Sequence, residues 1–116
     1  MKFNALIVIV EEKREEEAIR VAKEAGAGSV TILQGRNLGL KEKKIFFGLT
    51  LEENVSILLF VMPVRVTLKV LRAVKSTCDL DNTENSSLAF TIPLSHVVGL
   101  DIEELHKFKD DVSHLL

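Results

Sequence analysis

The chain has 116 residues, a net charge of −2, 47% hydrophobic and 28% charged residues: enough for one domain with a core between two packed layers. There is no global basic field to hold nucleic acid by its phosphates. Six Phe are the only aromatic residues, so platforms for stacking unpaired bases are scarce.

Cys78 is the single cysteine, which rules out an internal disulfide. The apolar run at the amino terminus, residues 3–10, lacks a cleavage site and is too short to span a bilayer. The expectation is a soluble, intracellular (cytoplasmic) protein of one domain over residues 1–116, with no nucleic-acid partner and no direct membrane insertion. Asn85-Ser86-Ser87 matches a glycosylation acceptor pattern, read as accidental in a chain with no export signal.

Residues 4–10 form a continuous apolar run rich in β-branched side chains and bounded by charges, which predicts a central strand. From residue 12 the period changes. Ala18, Ile19, Ala22 and Ala25 recur at helical spacing, while Glu15, Glu16, Glu17, Arg20 and Lys23 fill the other side. Gly26 and Gly28 end this helix, as residues that accept positive φ. Residues 29–34 read as a second strand, with Val30, Ile32 and Gln34 on one face and Thr31 and Leu33 on the other.

A glycine-punctuated loop comes next, opening Gly35-Arg36-Asn37-Leu38-Gly39 and made basic by Lys41, Lys43 and Lys44 around Glu42. Glycines flanking an arginine let backbone amides turn together toward an anion with a guanidinium beside them; the plainer alternative is a solvated turn. Residues 44–51 and 55–62 are predicted as the arms of a hairpin joined through Glu52-Glu53-Asn54. Pro63 stops the second arm and starts a helix with Val66, Val70, Leu71 and Val74 on one side and Arg65, Lys69, Arg72 and Lys75 on the other. A polar loop over 79–87, a last strand over 87–94 and a terminal helix over 101–116 complete the chain. The terminal helix has Ile102, Leu105, Phe108 and Val112 as its apolar stripe and opens on Asp101 and Glu104 in capping-box spacing.

Strand, helix, strand thus occurs twice, over 4–34 and 55–94. Two such units with right-handed crossovers interleave into one antiparallel sheet with both helices on one face. The predicted fold class is α+β: a ferredoxin-like plait (βαββαβ) with an extra hairpin strand and a C-terminal helix. Its strands are apolar on both faces, so oligomerisation is the expected way to hide the face without helices.

Other constellations are weaker. His106, Asp110 and His114 step along the terminal helix at metal-ligand spacing, but helical drift spreads them apart. Asp79, Asp81 and Glu84 resemble the start of a calcium loop without its central glycine or distal glutamate. His96 is read as a turn histidine and Cys78 as an inert, semi-buried thiol. No nucleophile elbow, phosphate-binding strand-to-helix motif or catalytic carboxylate pair can be assembled, so no catalytic residues, metal site or obligatory cofactor are expected and the protein reads as non-enzymatic.

The loop Gly35 to Gly39, with Phe90-Thr91-Ile92-Pro93-Leu94 and Val97-Val98-Gly99 in the tail, resembles the PII (nitrogen-regulatory) signal-transduction family, in particular its divergent PII-like branch with a shortened loop. The resemblance covers about residues 3–101 by element order and these two short patterns. It implies a homotrimer with nucleotide sites in the clefts between subunits. The loop 35–48 would be the arm that engages a regulated transporter, enzyme or regulator. Carried over residue by residue, the nucleotide-binding positions are Ser29 on the adenine side, Gly35 and Gly39 for backbone approach, Arg36 for anion pairing, and Asn82, Asn85, Ser86 and Ser87 as the facing loop.

The departures are specific. The family's phosphate loop is glycine-rich with a closing lysine; here Asn82, Asn85, Ser87 and Leu88 stand there, with Asp79, Asp81 and Glu84 placing negative charge where phosphate would come. Two arginines that usually come after the last strand are Gly99 and Asp101. Arg36, Lys41, Lys43 and Lys44 are left to compensate, which favours a ligand with fewer phosphates than ATP, or a different anion. The chain has no tyrosine, so the family's tyrosine modification is absent, and no Ser or Thr lies between Gly35 and Gly48. The sequence supports three readings: a regulatory trimer with a possible adenine nucleotide effector; a PII-like trimeric interaction module that has lost nucleotide binding; and an amino-acid-sensing plait, which lacks here the catalytic domain that normally accompanies it.

Overall fold

A computed structural model describes residues 2–38, 45–46, 49–50, 53–78, 80 and 87–100. The first apolar run forms strand β1 (Phe3–Glu11), succeeded by a short 3-10 turn (Glu12–Arg14) and helix α1 (Glu15–Glu24). Three glutamates occupy the first turn of α1 and Lys23 the last, charges of the sign that suits each end of the helix dipole.

Gly26 takes φ +117° and donates to the Lys23 carbonyl, while the Ala27 N–H reaches back to Ala22 at 2.9 Å. This paired closure satisfies carbonyls that the helix end would otherwise leave bare. Among the described glycines only Gly26 and Gly99 have positive φ, so the predicted stop rests on Gly26 and not on Gly28.

Strand β2 (Thr31–Asn37) begins and ends later than expected. Gly35, Arg36 and Asn37 belong to it and pair with Val55, Asn54 and Glu53, so the stretch read as a turning loop is extended ladder and Gly35 does not take positive φ. The expected hairpin over 44–51 and 55–62 is also corrected. Among the described residues, two short strands, β3 (Ile45–Phe46) and β4 (Leu49–Thr50), pair with each other and not with β5. Strand β5 (Glu53–Pro63) is sandwiched between β1 and β2 over Val55 to Leu59, which leaves that stretch no free edge for a hairpin arm to pair with.

Helix α2 (Val64–Thr77) starts directly after Pro63, and strand β6 (Leu88–Leu94) pairs with β1. The sheet order is β2-β5-β1-β6, all antiparallel, with β1 central as predicted: the ferredoxin-like plait. The expected C-terminal helix over 101–116 lies outside the described residues.

Side chains alternate across each strand. Leu6, Val8 and Val10 of β1 and Leu58, Phe60 and Met62 of β5 are buried with Ala18, Val21 and Ala22 of α1 and Val70 and Val74 of α2. The small α1 side chains let that helix lie close. Thr67, buried in α2, is satisfied by donating to the Pro63 carbonyl at 3.0 Å and accepting from Asn4 Nδ2 at 3.4 Å. The opposite sheet face carries no described helix. There Ile7, Ile9, Ile57 and Leu59 are half-buried by neighbouring strands, while Leu33, Leu88, Phe90 and Ile92 are 40–54% exposed.

Gly26→Ala is expected to lower stability by about 1–3 kcal/mol, since a β-carbon forbids the left-handed turn and would sit 3.3 Å from Val66 Cγ1 of α2. Urea unfolding of the variant measures the loss.

Candidate functional site

Three of the residues singled out in the sequence lie at the same end of the sheet, where β1 and β2 end and β5 and β6 begin. Gly35 and Arg36 lie on β2 opposite Val55 and Asn54, and Ser87 immediately precedes Leu88, which pairs with Ile9. They stand at opposite edges. With β5 and β1 between them, β2 and β6 are three strand spacings apart, about 14 Å, so one copy does not close a single site around them. Ser29 precedes β2 at its far end and is exposed. Gly39, Asn82, Asn85 and Ser86 lie outside the described residues, as do the histidine ladder of the tail and Asp79, Asp81 and Glu84.

A cleft of about 310 Å³ opens at this same end, lined by Glu11, Glu12, Lys13, Glu53 and Asn54. Lys13 Nζ is drawn to Glu11 at 3.0 Å, leaving two further carboxylates in the wall. The cleft where β1 ends and β5 begins is therefore acidic, a poor host for phosphate by itself.

Beneath it runs a polar link that the sequence pattern did not expose. Ser56, fully buried in β5, donates to Glu15 Oε1 at 2.7 Å, and Gln34 Nε2 donates to the same oxygen at 3.1 Å. The first residue of α1 is thus fastened to β2 and β5 one residue from Gly35. The available signal was Ser56 itself, a hydroxyl inside the run Val55-Ser56-Ile57-Leu58 that needs a partner when buried; the identity of that partner, 41 residues away, was not legible.

Cys78, at the end of α2, is buried. Burial raises its thiol above the usual value of 9.0, the Glu17 carboxylate adds to the rise and Arg14 opposes it. The thiol stays protonated and unreactive, as expected of a structural cysteine. Among the described residues no group of three or more His, Cys, Asp or Glu is placed to hold a metal, and no helix is long and apolar enough to cross a membrane. His96 is exposed after β6.

Comparison with solved structures places this geometry. CPII, a nitrogen regulatory PII-like protein from Thiomonas intermedia K12 solved with ADP, AMP and bicarbonate, superposes with a TM-score of 0.65 at 14% identity, over 86% of this chain and 98% of that one. The chain has the PII-like fold. A candidate PII-like signaling protein from Thermus thermophilus matches at TM-score 0.59 and 18% identity, over 81% of this chain and 87% of its own. A Bacillus cereus protein related to NIF3 matches at TM-score 0.65 and 15% identity over 82% of this chain, which spans only 26% of that longer protein. No protein-family model and no curated protein matches the sequence.

Glu15→Ala is expected to cost about 1–3 kcal/mol, because it strands the buried Ser56 hydroxyl, whereas Ser56→Ala costs about 1 kcal/mol. The double variant should lose less than the two together, and a double-mutant cycle in urea reads the difference.

A raised thiol value also fixes a pH dependence. Above pH 9.0 the unfolded thiol ionises while the folded one keeps its proton, so the unfolded state binds fewer protons and stability falls as pH rises. Cys78→Ala should flatten that alkaline decline, as unfolding curves taken on either side of pH 9.0 will report.

Proposed function

We propose that this chain is a non-enzymatic PII-like regulatory protein that works as a homotrimer. In this reading it senses a small anionic effector, an adenine nucleotide or another anion, in clefts between subunits, and passes the signal to a partner transporter, enzyme or regulator through the segment between β2 and β5. The observation that carries this reading is the sheet face that no described helix covers. Leu33, Leu88, Phe90 and Ile92 are each about half exposed, and covering the remainder is worth about 1 kcal/mol per side chain. A second copy presenting the same apolar face supplies the cover.

The placement of Gly35 and Arg36 on one edge and Ser87 on the other supports the shared cleft. Head-to-tail contact in a ring sets the β2 edge of one copy beside the β6 edge of the next, joining groups that a single copy holds apart. Ser29, Gly39, Asn82, Asn85 and Ser86 complete the proposed site. Gly35 serves in it as an extended residue whose missing side chain permits close approach, and Arg36 as the cation. The CPII complex with ADP, AMP and bicarbonate names the first ligands to try.

The acidic cleft formed by Glu11, Glu12 and Glu53 favours a second reading, a trimeric interaction module without a nucleotide. One experiment separates the two: light scattering for subunit number, with thermal unfolding in the presence of AMP, ADP, ATP and bicarbonate. A trimer whose midpoint rises with ligand, and whose Arg36→Ala variant remains trimeric without the rise, is the expected result. A trimer indifferent to every ligand leaves the interaction module, and a monomer overturns both.

A further inference from the structure

One carboxylate oxygen holds both members of a single cross-strand pair. Gln34 of β2 lies directly opposite Ser56 of β5, and Glu15 Oε1 accepts from Gln34 Nε2 at 3.1 Å and from Ser56 Oγ at 2.7 Å. Hydrogen bonds to a carboxylate are the stronger class, and the Ser56 end is fully buried. Separating β2 from β5 at this rung therefore breaks at least one of them.

The ladder differs on the two sides of that rung. Inward, the pairs are Leu33 with Ile57, Ile32 with Leu58 and Thr31 with Leu59, and β1 pairs with the other edge of β5 from Val55 to Pro63. Outward come Gly35 with Val55, Arg36 with Asn54 and Asn37 with Glu53. Gly35 offers no side chain to pack across its pair, and the pairing with β1 stops at Val55. Among the described residues, the last two rungs are thus a ribbon of two strands, which has little stability of its own. Glu53, at its end, shares a cleft with Glu11 and Glu12, and like charges raise the energy of the paired state.

We propose that Glu15 is a clasp that sets how far the β2–β5 ladder opens: the rungs of Arg36 and Asn37 part and re-form as a unit, and the opening stops at Gln34 and Ser56. Its use in signalling rests on the regulatory reading above, in which Arg36 is the cation. The clasp itself stands on the ligand-free fold.

Amide hydrogen exchange, followed by NMR on the full-length chain without ligand, tests it. Among the amides that bond across this ladder, those of Arg36, Asn37, Glu53 and Asn54 should exchange by local opening, and protection should rise about tenfold at Gln34 and Ser56. In Glu15→Ala the step should move inward, with exchange at Leu33, Gln34, Ser56 and Ile57 about tenfold faster relative to the β1 amides that bond to β6. Glu15→Gln, whose side-chain carbonyl accepts the same two bonds, should restore the step. Gln34→Ala, at an exposed position, removes only the β2 half and should move the step partway; it carries the test if Glu15→Ala does not fold. Uniform protection along the ladder of the unaltered chain, or a step that the substitutions leave in place, overturns the proposal. So does a rise in exchange shared equally by β1 and β6, which marks Glu15 as a contributor to global stability alone. Because no ligand is present, failure here leaves the effector reading to the trimer and ligand experiment above.

Discussion

Two helices can cover one face of a four-stranded sheet, and the two described helices both lie on the same one. Leu6, Val8, Leu58 and Phe60 are sealed against α1 and α2, while the alternate residues of the same strands face away from them and are nearly as apolar. Half-exposed Leu, Ile and Phe across one continuous face are unusual in a chain that works alone. The proposed assembly and its shared ligand cleft both trace back to that imbalance. In the proposed ring the two edge strands, β2 and β6, come near a neighbouring copy, and they hold Gly35 and Arg36 on one side and Ser87 on the other.

The plait itself was legible in the sequence because its signals are local. Ala18, Ala22 and Val70, Val74 recur at helical spacing and are buried where that spacing puts them; the β-branched run at residues 4–10 became the central strand. What misled was pairing, which is set by residues far apart in the chain. Glycine at 35 signals a turn, yet opposite Val55 it continues the ladder, since hydrogen bonding to β5 outweighs a weak local preference for turning. The hairpin assigned to 44–51 and 55–62 failed for the same reason: β5 is claimed on both sides by β1 and β2, a competition that no window of adjacent residues reveals.

The candidate site divides along the same line. Residue types were readable, and so was the excess of lysine in the arm. The arrangement of charge was not. Glu11, Glu12 and Glu53 come from two strands and the turn between β1 and α1, and converge only when β1 pairs with β5, producing an acidic cleft beside a stretch that reads as basic. The linked Glu15, Ser56 and Gln34 are drawn from three elements, each unremarkable in its own neighbourhood. In a plait of interleaved repeats, adjacent strands are seldom consecutive, so polar contacts across them escape a linear reading.

These two features bear directly on how a bound effector can act. On either side of the segment between β2 and β5 the strands are paired, Gly35 to Asn37 against Val55 to Glu53, and those strands are fastened to the first residue of α1 by the Glu15 carboxylate. The root of the arm is therefore a ladder and not a free hinge. In the proposed reading, a ligand at the β2 edge would shift the arm only by favouring one pairing state of that ladder over another, because equal affinity for both would switch nothing. Arg36 lies within the final rungs, opposite Asn54, so in the proposed reading an anion engaging its guanidinium would act on the last described pairs of that ladder. The fixed anchor below, at Ser56, limits the response to the rungs beyond it, where opening a few backbone hydrogen bonds costs little enough for one small ligand to offset.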